Sequence, residues 1–231
     1  MSHLILALDY NDSHTALNLV NQLDPNSCAL KVGSELFTLA GADFIHQLTS
    51  RQFKVFLDLK FHDIPNTVAR SCKIAADLGV WMLNVHASGG MKMMVAAKEA
   101  LENYSSPPLL IAVTVLTSMN QVDLAELGIN NTLDTQVNRL AKLAKEAGLN
   151  GVVSSAQEAD IIKKSCGNDF LVVTPGIRPR AHDDDQCRTL TPEQAINAGS
   201  DFLVIGRPIT QSANPVLEVA NINSSLAALL K

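Results

Sequence analysis

Eight times along this chain, a short apolar run ended by a polar residue or glycine gives way to a stretch with helical periodicity. The runs cover residues 4–9, 29–33, 54–60, 80–86, 109–116, 151–154, 170–174 and 202–206, one for about every 29 residues. Helical patterns follow from about Ser13, over 35–49, from about Pro65, over 90–101, and in segments up to Ala147. Strands this apolar fit a parallel sheet covered on both faces. Eight βα units predict an α/β fold of one kind, a closed (β/α)8 TIM barrel. An open doubly wound sheet usually carries about six strands and a glycine-rich first loop. The first loop here, Asp9-Tyr10-Asn11-Asp12, has no glycine. With no low-complexity segment or linker, residues 1–231 read as a single domain.

Local signals agree with this division. Thr191-Pro192-Glu193-Gln194 places an N-cap hydroxyl, a proline at the first helical position and Gln at the third. Ser155-Ala156-Gln157-Glu158 carries the same capping logic. Gly79, Gly148 and Gly199 each stand where a helix must stop before a strand. Aromatic residues are only 4%, so Leu, Val, Ile and Ala must build the core. Trp81 and the Met91, Met93 and Met94 group read as packing residues.

Charge and cysteine usage narrow the class of function. A net charge of −5 and a pI near 5.6 argue against a nucleic-acid binder, which needs a basic face. The N-terminal segment has no basic region and no small-residue cleavage site, so no signal peptide is expected. No apolar stretch approaches the roughly 18 residues of a membrane helix, so no membrane partner is expected. Cys28, Cys72, Cys166 and Cys187 form no CxxC pair, which predicts reduced thiols in a cytoplasmic protein.

Barrel enzymes draw their chemistry from the C-terminal ends of strands, and charged residues gather there. Asp9 ends the first run, Lys31 lies near the end of the second, and Asp58 and Lys60 close the third. Residues two apart on a strand face the same way, so Asp58 and Lys60 can both point to the barrel mouth. Opposite charges embedded in an apolar strand need partners to offset desolvation, and an alternating Lys31–Asp58–Lys60–Asp63 set would supply them. Such surroundings favour the ammonium form of Lys60, suited to giving a proton rather than to Schiff-base attack. After the seventh and eighth runs come Thr174-Pro175-Gly176-Ile177-Arg178 and Ile205-Gly206-Arg207-Pro208. Many TIM barrels bind phosphate at this position, and Arg178, Gly206 and Arg207 have the chemistry for it. The long charged stretch at residues 176–188 reads as a lid. His62 and His86 read as structural hydrogen-bonding groups.

The stretch FLDLKFHDIPNT at residues 56–67 resembles the signature of the orotidine 5'-phosphate decarboxylase family, whose core is Asp-x-Lys-x-x-Asp. The resemblance runs along essentially the whole chain. It takes in LALDY at 6–10, LKVG at 30–33, NVHASGG at 84–90, VTVLTSM at 113–119, TPGIRP at 174–179 and IGRPIT at 205–210, in the order and spacing of the bacterial branch. It implies a cofactor-free and metal-free decarboxylation of a small nucleotide, orotidine 5'-phosphate, to uridine 5'-phosphate. It implies that Asp9 and Lys31 bind the ribose hydroxyls, and that Asp58, Lys60, Asp63 and Lys31 form the catalytic charge network. Lys60 would be the proton donor to C6, with Asp58 near the leaving carboxylate. Asp63, Ile64 and Thr67 would reach into a neighbouring subunit's site, which makes the active unit a homodimer. Thr117 would contact the pyrimidine, and Arg178, Gln186, Gly206 and Arg207 the phosphate. The spacing from Arg178 to Gln186 is one residue shorter than in some relatives.

Three rivals stand beside this expectation. A magnesium-dependent sugar-phosphate lyase or decarboxylase of the same superfamily shares the Asp-x-Lys-x-x-Asp pattern, but places an acidic metal ligand where Lys31 stands. A Schiff-base aldolase would need Lys60 as a neutral amine. A catalytically silent phosphate-binding barrel would bind a nucleotide without turnover.

Overall fold

The computed structural model describes residues 2–178 and 190–229. Eight strands, β1 (Leu4–Ala7), β2 (Ala29–Gly33), β3 (Val55–Phe61), β4 (Met82–His86), β5 (Leu109–Val113), β6 (Gly151–Val153), β7 (Leu171–Thr174) and β8 (Phe202–Ile205), pair in sequence order. Every pairing is parallel, and β1 returns to β8 through Leu4–Leu203, Ile5–Val204 and Leu6–Ile205, closing the barrel. The outer layer holds α1 (Ser13–Val20), α2 (Ser34–Ser50), α3 (Pro65–Asp77), α4 (Gly90–Glu99), α5 (Gln121–Glu126) and α6 (Leu133–Glu146). It continues with α7 (Ala159–Cys166), α8 (Pro192–Asn197), α9 (Arg207–Thr210) and α10 (Pro215–Leu229). The expected (β/α)8 TIM barrel is the fold observed.

The period of a strand divides the core in two. Ile5, Ala7, Ala29, Phe56, Met82, Ile111, Val173, Phe202 and Val204 point inward and fill the barrel. Their alternates, among them Leu4, Leu6, Leu30, Leu57, Leu83, Leu110, Val172 and Leu203, point outward into a larger cluster beneath the helices. Because both faces are buried, the strands read as continuous apolar runs. Trp81 lies just before β4, edge-on to Phe202 with ring centroids 5.2 Å apart, and Lys54 covers its ring. Met93 and Met94 are buried on α4.

The capping signals act as expected. Thr191 Oγ1 accepts from the Gln194 N–H, and the Gln194 side chain accepts from the Thr191 N–H. Ser155 and Glu158 make the equivalent box, opening a 3-10 turn at Ala156–Glu158 ahead of α7. Several boundaries differ from the sequence reading. β1 ends at Ala7 and β5 at Val113, short of the expected 9 and 116, so Asp9 and Thr117 sit on loops. Asp9 keeps its inward direction because the Leu8 N–H still donates to the Lys31 carbonyl at 3.0 Å. The helix read over 35–49 is broken at Gly41, where φ is 64° and ψ −162°, a backbone that L side chains rarely adopt. Among the described residues, no helix is long and apolar enough to cross a membrane.

Candidate active site

Inward-facing positions at the C-terminal ends of β1 to β3 converge on one line of alternating charge. Lys31 Nζ lies 2.9 Å from Asp9 Oδ1 and 3.5 Å from Asp58 Oδ2. Asp58 Oδ1 lies 2.8 Å from Lys60 Nζ. The order is Asp9–Lys31–Asp58–Lys60, running from a side chain 59% exposed, through two that are nearly buried, to one 36% exposed. Each buried charge is bracketed by opposite ones, which is how an apolar barrel tolerates it. Burial opposes the Lys31 charge, but Asp58 and Asp9 outweigh burial and hold its ammonium above the usual lysine pKa.

The sequence grouped Lys31, Asp58, Lys60 and Asp63 together, and here the geometry differs. Within this chain Asp63 is exposed and accepts a hydrogen bond from the Ile64 N–H at 2.6 Å. It forms no ion pair among the described residues, and Asp9 takes the fourth place in the array. Asp63 follows Lys60 by three positions, and the chain has left the strand at Phe61 before reaching it. Ile64, the N-cap of α3, is 67% exposed, and Thr67 lies in the first turn of that helix.

Above the array opens a pocket of about 250 Å³ lined by Asp9, Lys31, Asp58, Lys60, Thr117, Arg178, Gly206 and Arg207. Its floor is apolar, built by Ala7, Phe56, Val113, Val153 and Val204. The pocket is therefore two-ended, with fixed charge of both signs on one side and two arginines on the other. Arg178 is buried just past β7, and its Nη1 donates to the Ile177 carbonyl at 3.0 Å. Arg207 opens α9, with Gly206 as its N-cap. Gly206 lies against β1, where a Cβ would come into ordinary contact with the Ala7 Cβ at 3.4 Å and Asp9 Oδ2 at 3.5 Å. Gln186 and Cys187, with residues 179–188 of the expected lid, lie outside the described residues. Of the site residues read from the sequence, Asp63, Ile64 and Thr67 are the described ones that do not line this pocket.

Sequence reasoning missed Asn84. It is fully buried on β4, donates from Nδ2 to Asp58 Oδ1 at 2.7 Å and accepts the Lys60 N–H at Oδ1 at 2.8 Å. Lys60 itself has φ 52°, which is costly for a side-chain-bearing residue. The available signal was the alternation Met82, Asn84, His86, which turns an amide into the barrel from an apolar strand. His86 and His62 lie with ring centroids 5.4 Å apart. Burial, then His62 and Lys60, hold His86 below the usual histidine pKa against the pull of Asp58, which favours its neutral form. Among the described residues, no three His, Cys, Asp or Glu side chains gather as metal ligands.

Comparison with known proteins gives one family. A sequence model described as the Orotidine 5'-phosphate decarboxylase / HUMPS family matches residues 2–222. A Legionella pneumophila (strain Corby) protein named orotidine 5'-phosphate decarboxylase is 64% identical over 214 residues, 92% of this chain and 93% of that protein. One of the same name from Psychromonas ingrahamii is 61% identical over 225 residues, 96% of each chain. The crystal structure of orotidine 5'-phosphate decarboxylase from Lactobacillus acidophilus superposes with a TM-score of 0.87 at 40% identity, covering 97% of this chain and 98% of the other.

Proposed function

The chain belongs to the orotidine 5'-phosphate decarboxylase / HUMPS family, and from that premise we propose that it converts orotidine 5'-phosphate to uridine 5'-phosphate and CO2 without metal or cofactor. The observation that carries this reading is the Asp58 carboxylate held between two ammonium groups at the mouth of an apolar barrel.

The chemistry follows from that placement. Breaking the bond from C6 to its carboxylate releases CO2 and leaves an electron pair on C6, in the ring plane and poorly delocalised. With no organic electron sink, the charge must be met by groups already in position. The Lys60 ammonium meets it and transfers a proton to C6, and the neutral amine regains a proton from solvent. Asp58 stands near the substrate carboxylate and disfavours it more than the neutral CO2 that replaces it. Lys31 pairs with Asp58 and, with Asp9, binds the ribose hydroxyls. Thr117 contacts the pyrimidine. Arg178, Gly206 and Arg207, with Gln186, take the phosphate, whose binding energy helps orient the remote reacting carbon. Metal independence rests on Lys31. Its ammonium, 2.9 Å from Asp9 and 3.5 Å from Asp58, holds the space between the carboxylates that a divalent ion would need.

The active unit in this reading is a homodimer, with Asp63, Ile64 and Thr67 completing the partner's site. Their position beside the mouth but off this chain's own pocket supports it. A cytoplasmic setting fits the thiols. Cys28 and Cys72 are buried and unpaired, with burial pushing them up to about 11 and about 12, so neither is a reactive thiolate.

The test is the loss of ultraviolet absorbance when the purified protein meets orotidine 5'-phosphate in excess EDTA. Rapid loss is expected, and Lys60→Ala should lower kcat on the order of 10³-fold or more while the circular dichroism is unchanged. No turnover by folded protein would end the reading. Turnover only after magnesium is restored would end its metal independence.

A further inference from the structure

Asp58 and Lys60 sit two residues apart on β3, yet regular pairing with β4 fails between them. Leu57 pairs with Leu83 and the next pair is Phe61 with Val85, so four steps along β3 match two along β4. The surplus backbone bulges at residues 58–60, and Lys60 takes its left-handed φ there. Its N–H is turned off the strand ladder and would be an orphan donor in the barrel wall. Asn84 is the β4 residue opposite the bulge. Its Oδ1 accepts that N–H at 2.8 Å, and its Nδ2 donates at 2.7 Å to the Asp58 oxygen that also receives Lys60 Nζ at 2.8 Å. One partner is an obligatory donor and the other an acceptor, so the amide has only one satisfied orientation. A planar group with no exposure thus links the backbone of one charged residue to the carboxylate of the other.

We infer that Asn84 is a positioning residue for the Asp58–Lys60 pair, fixing the carboxylate plane and the bulge from which the ammonium projects. The inference rests on the decarboxylase reading above. Without the amide, Asp58 keeps its two lysines but is free to turn, and the Lys60 backbone loses the bond that offsets its left-handed φ. Displacement by about 1 Å at a reacting centre costs on the order of 10²-fold in rate. Asn84 does not line the substrate pocket, so binding is largely spared.

The experiment measures kcat and KM for orotidine 5'-phosphate across pH in the unmodified chain, Asn84→Ala and Asn84→Asp. Asn84→Ala should lose on the order of 10²-fold in kcat with KM close to that of the unmodified chain. Asn84→Asp keeps an acceptor for the Lys60 N–H but sets a second carboxylate against Asp58. The charged and titratable groups around that pair are Lys31 from β2, Lys60 from β3, and the His86 and His62 imidazoles. Two carboxylates in contact cannot both ionise without parting, whereas the protonated acid has the donor and acceptor pattern of the amide. The ratio of its kcat to that of the unmodified chain should therefore climb at least about tenfold as pH falls through the shared titration. A residue needed only for folding would lower Tm without that climb. Should Asn84→Ala not fold, Asn84→Ser carries the same kcat test. An unmodified chain that turns over, beside a folded Asn84→Ala or Asn84→Ser with kcat within twofold of it or an Asn84→Asp ratio flat with pH, overturns this inference alone. An unmodified chain without turnover removes the decarboxylase reading and this inference with it.

Discussion

Lys31 shows what a charge inside a barrel costs and what offsets it. Its side chain is 11% exposed, and its ammonium touches Asp9 and Asp58. Lys31→Met keeps most of the length of the side chain and removes its charge, leaving the nearly buried Asp58 carboxylate with Lys60 as its one ionic partner beside the Asn84 amide. Removal of one member of a buried pair costs about 3 kcal/mol, which should lower Tm by roughly 6–12 °C in a chain of this size. Since the folded pKa of Lys31 is raised, its contribution is complete below the ordinary lysine pKa and is lost only as pH rises through the folded value. The Tm difference should therefore be constant from pH 6 to pH 9 and close only in strong alkali. Equal thermal stability of the two proteins at neutral pH would show that the pair does not stabilise the fold. Lys31, Asp58 and Lys60 were legible in the sequence because a charge inside an apolar run has no cheap place to go. Asn84 was not, since an uncharged amide carries no such signal and its partners lie more than twenty residues away.

The elements were legible to the extent that their causes are local. Capping boxes at Ser155 and Thr191, and the apolar runs themselves, depend on neighbours in sequence; both boxes form where expected, and each run holds a strand, though β1 and β5 end earlier than their runs. The bulge at residues 58–60 depends on how β3 and β4 register, which no window along β3 contains. The Gly41 break was missed for a related reason, because an isolated glycine is tolerated inside a helical pattern. Gly151 is the glycine whose role becomes visible only in the assembled sheet. A Cβ built there would lie 2.3 Å from the Leu171 carbonyl oxygen and 2.6 Å from the Leu171 Cβ. β6 has three residues and is paired on both sides, to Ile111 and to Leu171 through Gly151 itself, so it has nowhere to shift. Gly151→Ala should destabilise the protein by about 2–3 kcal/mol, read as a lower denaturation midpoint in urea at an unchanged slope. A midpoint equal to that of the unmodified chain would mean that β6 and β7 can part without loss.

At the scale of the whole molecule, the barrel gathers Asp9, Lys31, Asp58 and Lys60 at one mouth but leaves Asp63 facing out. Ile64 and Ile74, the N-cap and a later residue of α3, are 67% and 64% exposed, apolar surface that a partner would cover. A twofold dimer has self-complementary faces, so each subunit would lend its Asp63 to the other's site. That arrangement has a consequence that no single-chain site shares. Lys60→Ala and Asp63→Ala should each be nearly inactive as pure dimers. Unfolded together and refolded, they form mixed dimers in about half of the population, and one of the two sites in each mixed dimer combines an intact Lys60 with an intact Asp63. Activity should return to roughly one quarter of that of the unmodified protein. If Asp63 served the site of its own chain, every site in the mixture would still lack one of the two groups and nothing would return. An Asp63→Ala protein that is fully active by itself would remove Asp63 from the charge network altogether.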